Sequence, residues 1–373
     1  MQQQRLNIVF AGGGTGGHLF PALAIADEIR RKIPDAGITF IGTRNRIEAR
    51  VVPEHGFRFE SIWISGFRRK WTVDNVLFPF KIMTSLVQSV ILMRRLTPRV
   101  VVGTGGYVCG PPLFAASLLG IPTLIQEQNG YPGVTTRLLA GRASEVHLSF
   151  ESSRRYLARR DHVFVSGNPT RERVGKIMRP EGAAYFGIDP DKKTLLVFGG
   201  SLGAASINRA VARVLPSLMT HQVQVIWQIG EGGFEQMKAQ IPPDAGNRVK
   251  PYRFIDKMEY AYAACDLAVC RAGATTVAEL SKASVPSVLV PYPFAAADHQ
   301  TQNAQAMVEA GAAVMIADAE LEGRLLETVD SLLSDPARLQ GMRAGAFRAG
   351  KHDATAVLAR AVVDLAGAGY GSK

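Results

Sequence analysis

The sequence predicts two Rossmann-like α/β domains, each built on a parallel sheet, and three observations carry that prediction. Short β-rich apolar runs alternate with longer helical patterns along the chain. The pattern restarts near residue 194, after a stretch rich in Gly, Pro and charge, and the first strand of each half runs into a glycine cluster. A length of 373 residues also exceeds one compact core, and a hydrophobic share of 47% lets two domains bury cores of ordinary size.

Taken in order, residues 5–11 form an apolar run ending in glycines. Residues 18–32 follow with Leu19, Leu23, Ala26 and Ile29 at helical spacing. Strands are expected at 38–41, 58–62, 100–103, 122–125, 145–148 and 163–165. The second half opens with a strand at 194–198, Gly199-Gly200 and a helix from Ala204, and continues with strands at 223–228, 249–251, 267–270, 287–290 and 313–316. The spacing places one domain at 1–166 and another at 167–340, with the border inside 167–193. Helices of 341–373 are left free to pack back on the first domain.

The formal net charge is +11, which calls for an anionic partner. No helix-turn-helix, zinc knuckle or aromatic RNA-binding signature appears, so nucleic acid is not expected, and the charge favours phosphorylated ligands and a membrane surface. No leader peptide is read at the start, and no apolar stretch reaches the length of a membrane span. The best candidate, 85–93, is short and carries Gln88 and Ser89. Cys109, Cys265 and Cys270 lack metal-ligand spacing and read as buried thiols.

Three glycine-rich segments follow strands: Gly12-Gly13-Gly14-Thr15-Gly16-Gly17-His18, Gly103-Thr104-Gly105-Gly106-Tyr107 and Gly199-Gly200-Ser201-Leu202-Gly203-Ala204. Glycine allows the backbone a tight turn and close approach, and a helix N-terminus offers free N–H groups to an anion. Gly12, Gly14 and Gly17 also fit the dinucleotide pattern. That pattern wants an acid after the second strand, where Ile41-Gly42-Thr43-Arg44-Asn45-Arg46 has none. The arginines suit a 2′-phosphate, so an NADP-dependent oxidoreductase stays open, although the separate phosphate loop of the second half weighs against it.

With those segments occur Glu127-Gln128-Asn129, Gly167-Asn168-Pro169-Thr170-Arg171, Arg271-Ala272-Gly273-Ala274-Thr275-Thr276-Val277-Ala278-Glu279 and Asp298-His299-Gln300-Thr301. In this combination and order, over nearly the whole chain, the sequence resembles the MurG family. The resemblance implies a GT-B fold, with two Rossmann-like domains and their parallel sheets facing across a cleft. It implies inverting transfer of N-acetylglucosamine from UDP-GlcNAc to undecaprenyl-pyrophosphoryl-MurNAc-pentapeptide at the cytoplasmic face of the inner membrane, without a cofactor or metal. Another GT-B lipid glycosyltransferase, a UDP-GlcNAc epimerase and a non-catalytic nucleotide-sugar sensor are the competing readings.

On the same resemblance, donor contacts fall on Arg171, Ser201, Ile255, Ala274, Thr275, Thr276, Val277, Ala278, Glu279 and Gln300. Arg171 suits the pyrophosphate and Glu279 the ribose hydroxyls. Some relatives carry glutamine where Leu202 stands, which leaves the phosphate to backbone amides. Thr15, Gly16, Gly17 and Asn129 are expected on the acceptor side, with Gly13, Gly14, Gly105 and Gly106 in loops for the acceptor pyrophosphate. His18 is the first candidate for the base that takes the acceptor proton and Glu127 the second, while a structural role remains open for each. Asp189-Pro190-Asp191 has the spacing of a metal-binding acid pair but precedes its strand, which reads as a turn.

A lipid-linked acceptor requires a membrane-docking face. Phe67-Arg68-Arg69-Lys70-Trp71, then 76–82, then Arg94-Arg95 interleave aromatic and basic residues, and Trp71, Phe78 and Phe80 are the expected insertion points. The alternative is a core helix over 75–95 with only its flanks exposed.

Overall fold

The computed structural model describes residues 6–66, 78–200, 203–295 and 298–367. The chain divides into two compact units, residues 1–170 with 352–373 and residues 171–351. The sequence borders at 166 and 340 compare with changeovers at 170/171 and 351/352.

In chain order the first unit runs β1 (Asn7–Ala11), α1 (Gly16–Lys32), β2 (Gly37–Gly42), α2 (Ile47–Glu54), β3 (Arg58–Ser61), α3 (Phe78–Leu96), β4 (Val100–Gly103), α4 (Gly110–Leu118), β5 (Thr123–Glu127), α5 (Val134–Leu139), β6 (Glu145–Leu148) and β7 (Val163–Val165). Its seven strands are parallel in the order β3-β2-β1-β4-β5-β6-β7, with Ile8 opposite both Ile38 and Val100. The central strands are apolar at successive positions because both faces of the sheet are covered. Ile8, Phe10, Phe40, Val100, Val102 and Leu124 share one core with α1, while Val9, Ala11, Ile41, Val101, Ile125 and Val146 share the other with α3 and α4.

The second unit runs α6 (Arg179–Phe186), β8 (Thr194–Phe198), α7 (Ala205–Thr220), β9 (Gln224–Gln228), α8 (Phe234–Lys238), β10 (Val249–Tyr252), α9 (Met258–Ala264), β11 (Leu267–Cys270), α10 (Ala274–Lys282), β12 (Ser287–Leu289), α11 (His299–Glu309), β13 (Ala313–Met315), α12 (Leu321–Leu333) and α13 (Pro336–Ala349). Its six parallel strands are ordered β10-β9-β8-β11-β12-β13. Trp227, fully buried in β9, donates its indole N–H to Asn208 Oδ1 at 3.1 Å, and Asn208 Nδ2 donates to the Ile229 carbonyl at 2.8 Å. At the opposite end of the sheet from its glycine loop, Asp266 binds the Arg179 guanidinium through both oxygens and accepts the Thr194 amide.

The last helix, α14 (Ala354–Leu365), belongs to the first unit and lays Leu358, Ala359, Val362 and Val363 into the core beside α1. Thr355 Oγ1 both accepts from the Thr170 amide and donates to its carbonyl.

Two local readings change. The first helix begins at Gly16, two residues earlier than the apolar spacing implies, because Thr15 takes the extended N-cap conformation at φ −145° and Gly16 and Gly17 are already helical. Phe78 and Phe80 open a helix of 19 residues, α3, whose apolar residues divide between the surface and the core, where Leu92, Met93 and Leu96 are buried. Phe80, Met83, Val87 and Ile91 are exposed, while Lys81, Ser85 and Ser89 are buried. The buried hydroxyls are satisfied along the helix, Ser85 by the Ile82 carbonyl and Ser89 by that of Ser85, and Lys81 donates to Ser65 Oγ at 3.0 Å. No helix among the described residues is long and apolar enough to cross a membrane.

Candidate functional site

In open parallel sheets, ligands bind beyond the carboxyl ends of the strands where the strand order reverses. That point lies between β1 and β4 in the first unit and between β8 and β11 in the second. Each of the three glycine segments follows one of these strands.

At the first switch point the glycines make room for side chains. A Cβ on Gly13 would sit 2.5 Å from the Glu48 carboxyl carbon, and one on Gly105 would sit 2.6 Å from His18 Nδ1. Gly14, Gly105 and Gly106 hold φ of 83°, 97° and 78°, the left-handed region that favours glycine. Glu48, 1% exposed, accepts the amides of Gly14 at 3.0 Å and Thr43 at 3.1 Å, and the Thr43 hydroxyl at 2.8 Å. The acid sought at the end of β2 therefore stands on α2 and braces the glycine loop. The dinucleotide reading loses both the Gly14 amide and a ribose acceptor there. Thr15 and Gly17, at the start of α1, are exposed, and Gly16 is half-buried.

His18, in the first turn of α1, is half-buried, and its Nδ1 lies 3.0 Å from Gln128 Oε1. The Thr104 hydroxyl donates to the His18 carbonyl at 2.8 Å. Glu127, 3% exposed, has both oxygens engaged by its own loop. Oε1 accepts from the amide and side chain of Asn129, and Oε2 from the Gly133 amide at 2.9 Å and the Thr136 hydroxyl at 2.7 Å. Glu127 is thus turned inward, and half-buried Asn129 is held against that carboxylate.

At the second switch point the chain leaves β8 through Gly199, where a Cβ would sit 2.3 Å from the Ala204 amide, and Gly203, where a Cβ would sit 2.1 Å from the Ile229 carbonyl. Ser201 and Leu202 lie outside the described residues, as does Trp71. The loop delivers the start of α7, whose first-turn Ser206 is held by Arg271 Nη2 at 2.8 Å. Arg271 also pairs with Asp318 and donates to the carbonyls of Val290 and Pro291, so it braces the loops.

Beyond β11, Ala274, Thr275, Thr276, Val277, Ala278 and Glu279 form the first turns of α10. The enclosed Thr275 hydroxyl has no protein partner among the described residues. Glu279, 6% exposed, accepts Arg171 Nε at 3.1 Å and the Tyr262 hydroxyl at 2.9 Å. Burial opposes the charge on Arg171, but the Glu279 carboxylate outweighs it and raises the guanidinium above its ordinary pKa. Burial, reinforced by Glu279, pushes the Tyr262 phenol well above its usual value, so it stays a donor. Arg171 Nη1 also donates to the Asp256 carbonyl at 3.0 Å.

The Ile255 amide donates to Gln228 Oε1 at 2.8 Å, and Gln228 Nε2 donates to the Gly200 carbonyl at 2.9 Å. Gln300 Oε1 accepts the Tyr292 amide at 3.0 Å, and Thr301 donates to Asp298. Asp189 Oδ1 accepts the Asp191 amide at 2.9 Å in a turn that precedes β8. The three cysteines are buried thiols, and burial pushes Cys109 up to about 12. Sequence reasoning did not single out Glu48, Gln228 or Tyr262. Their only signal was a polar residue inside an otherwise apolar or helical stretch.

The glycosyltransferase family 28 N-terminal domain matches residues 8–148, and the family 28 C-terminal domain matches residues 194–358. The chain is 45% identical over 366 residues to a Prosthecochloris aestuarii protein named UDP-N-acetylglucosamine–N-acetylmuramyl-(pentapeptide) pyrophosphoryl-undecaprenol N-acetylglucosamine transferase, covering 97% of this chain and 99% of that protein. The crystal structure of Acinetobacter baumannii MurG is similar at TM-score 0.74 and 29% identity, over 96% of this chain and 99% of that one. A UDP-N-acetylglucosamine 2-epimerase structure matches at TM-score 0.69 and 15% identity, covering 100% of this chain and 98% of that one, which speaks for the GT-B fold alone.

Proposed function

The chain belongs to glycosyltransferase family 28, and from that premise we propose that it transfers N-acetylglucosamine from UDP-GlcNAc to the C4 hydroxyl of MurNAc in undecaprenyl-pyrophosphoryl-MurNAc-pentapeptide, with inversion at the anomeric carbon. The observation that carries the reading is the 45% identity, over 97% of the chain, to an enzyme named for this transfer. The epimerase alternative shares only the fold, at 15% identity.

The residues support a direct displacement. His18 takes the proton as the acceptor oxygen attacks C1, the C1–O bond to UDP breaks, and UDP leaves with the electron pair. The amides at the start of α7 and Arg171 face the growing negative charge of the diphosphate, and Ser201, outside the described residues, keeps its place among the donor contacts. Glu279 Oε2 takes both the Tyr262 hydroxyl and Arg171 Nη2, and Oε1 keeps a second lone pair for a ribose hydroxyl beside Arg171 Nε. A uracil placed at Ile255 meets its carbonyl, or displaces Gln228 from its amide. Thr275 offers its unpartnered hydroxyl to the donor, and Gln300 its remaining amide N–H groups. On the acceptor side, Thr15, Gly16 and Gly17 supply helix-start N–H groups, and Asn129 lies beside the Glu127 brace. Gly13, Gly14, Gly105 and Gly106 shape the loops that carry them.

The acceptor places the enzyme at the cytoplasmic face of the inner membrane. Docking falls to the exposed apolar face of α3, where Phe80 is 68% exposed and Met83 64% exposed, with Arg94 and Arg95 in its last turn. Half-buried Phe78 contributes less of this surface than Phe80. Met83→Asp with Val87→Asp should lower retention on anionic vesicles while UDP affinity holds, and equal retention would remove this face from the reading. Transfer itself is tested with radiolabelled UDP-GlcNAc and a lipid-linked MurNAc-pentapeptide analogue. A labelled disaccharide-lipid product is expected, and tight UDP binding without transfer would sink the assignment.

A further inference from the structure

Gln128 is the residue that decides what His18 can do. It follows Glu127 at the end of β5, is 2% exposed, and points its amide between His18 and the backbone of the β4 loop. Its Nε2 has acceptors around it: the Thr104 carbonyl at 2.7 Å, the Gln126 carbonyl at 3.2 Å and the Gln126 side-chain oxygen. Turning the amide over would set Oε1 against all three and leave a buried donor and acceptor mispaired, a cost of about 1–3 kcal/mol for each buried group left unsatisfied. Gln126 is itself fully buried, and its Nε2 donates to Ser149 Oγ and Asn168 Oδ1, each at 3.3 Å, so its oxygen is the end left facing Gln128. The chain of amides therefore has one direction, and it ends with Gln128 Oε1 presented to His18.

An amide oxygen can only accept. At 3.0 Å it selects the imidazole tautomer with hydrogen on Nδ1. Nε2, the other ring nitrogen, then carries the lone pair. Gly105 makes the ring position possible, because a Cβ there would stand 2.6 Å from Nδ1. We propose that Gln128 is a positioning residue that fixes His18 in its Nδ1–H tautomer, holding Nε2 unprotonated toward the acceptor hydroxyl. This rests on the reading of His18 as the base. The orienting group is neutral, so it sets the tautomer and ring angle without adding a negative charge beside the imidazole.

The test combines a spectrum with kinetics on the full-length protein. Side-chain 15N NMR at neutral pH, with His18 assigned by its loss in His18→Gln, should show Nδ1 protonated and Nε2 unprotonated in the wild type. Gln128→Met, close in volume and only a weak acceptor through its thioether, should shift His18 toward the Nε2–H tautomer. It should lower kcat about tenfold or more, a fraction of the about 10²–10⁴-fold that a general base contributes, with the KM for UDP-GlcNAc unchanged. A wild-type His18 protonated on Nε2 overturns the proposal, even if the methionine variant does not fold. So does a folded Gln128→Met that loses thermal stability but keeps both the wild-type tautomer and the wild-type kcat. If the tautomer is as stated but His18→Gln keeps wild-type turnover, the base reading falls and the catalytic part of this proposal falls with it. The transfer reaction would still stand on the product assay.

Discussion

The two switch points share a topology and treat charge in opposite ways. In the first unit the nearby carboxylates turn inward: Glu48 holds the Gly14 and Thr43 amides, and Glu127 holds the loop from Asn129 to Thr136. Beside them stands the half-buried imidazole of His18, in the first turn of α1. In the second unit the carboxylates neutralise arginines, Glu279 with Arg171 and Asp318 with Arg271, and the loop delivers a helix N-terminus. The same strand order thus surrounds an imidazole in one unit and paired arginines beside a helix N-terminus in the other, and the difference lies in what the side chains around the glycines are paired with.

The sharpest way to break this comparison is His18→Gln. Transfer should fall about 10²–10⁴-fold, the range for losing a general base, while UDP affinity measured by calorimetry holds. Loss of UDP binding would mean that the two units do not divide the work as described. Next in size, Arg171→Ala should weaken UDP binding about ten- to a hundredfold, the effect of removing a hydrogen bond to a charged group. Because it strips Glu279 of its cationic partner, the same variant should also lower stability in urea, and unchanged values of both would remove Arg171 from the donor site. The smallest kinetic effect is expected from Glu127→Gln. It sets an amide N–H group against two of the four donors and should cost about 1–3 kcal/mol of stability, with kcat reduced far less than the about 10²-fold minimum for a lost base. A loss of kcat as deep as that of His18→Gln would make Glu127 the base instead.

Much of this was readable from the chain because parallel strands covered on both faces are written as unbroken apolar runs, such as Ile8-Val9-Phe10-Ala11 and Leu267-Ala268-Val269-Cys270. The glycines marked the loops for the same local reason, namely positive φ and close backbone approach. Pairings across long sequence separations were not readable. Arg171 and Glu279 stand 108 residues apart, and His18 and Gln128 stand 110 apart. Glu48 was not legible because the dinucleotide pattern puts its acid at the end of β2, whereas the acid that fills that space comes from the following helix. Helix α3 shows a different limit. Its spacing reveals an apolar stripe, but only packing shows that Ser85 and Ser89 face inward and Met83 and Val87 outward.

The return of α14 to the first unit has a consequence for synthesis. Leu358, Ala359, Val362 and Val363 complete the core beside Leu23, Ala26 and Ile29 of α1, yet the ribosome makes them after the whole second unit. At about 5–20 residues per second, the second unit has time to fold on emergence, while α1 waits with an uncovered apolar flank. The later-made unit is thus free to mature first. The nascent first unit keeps that apolar flank exposed until α14 has been made.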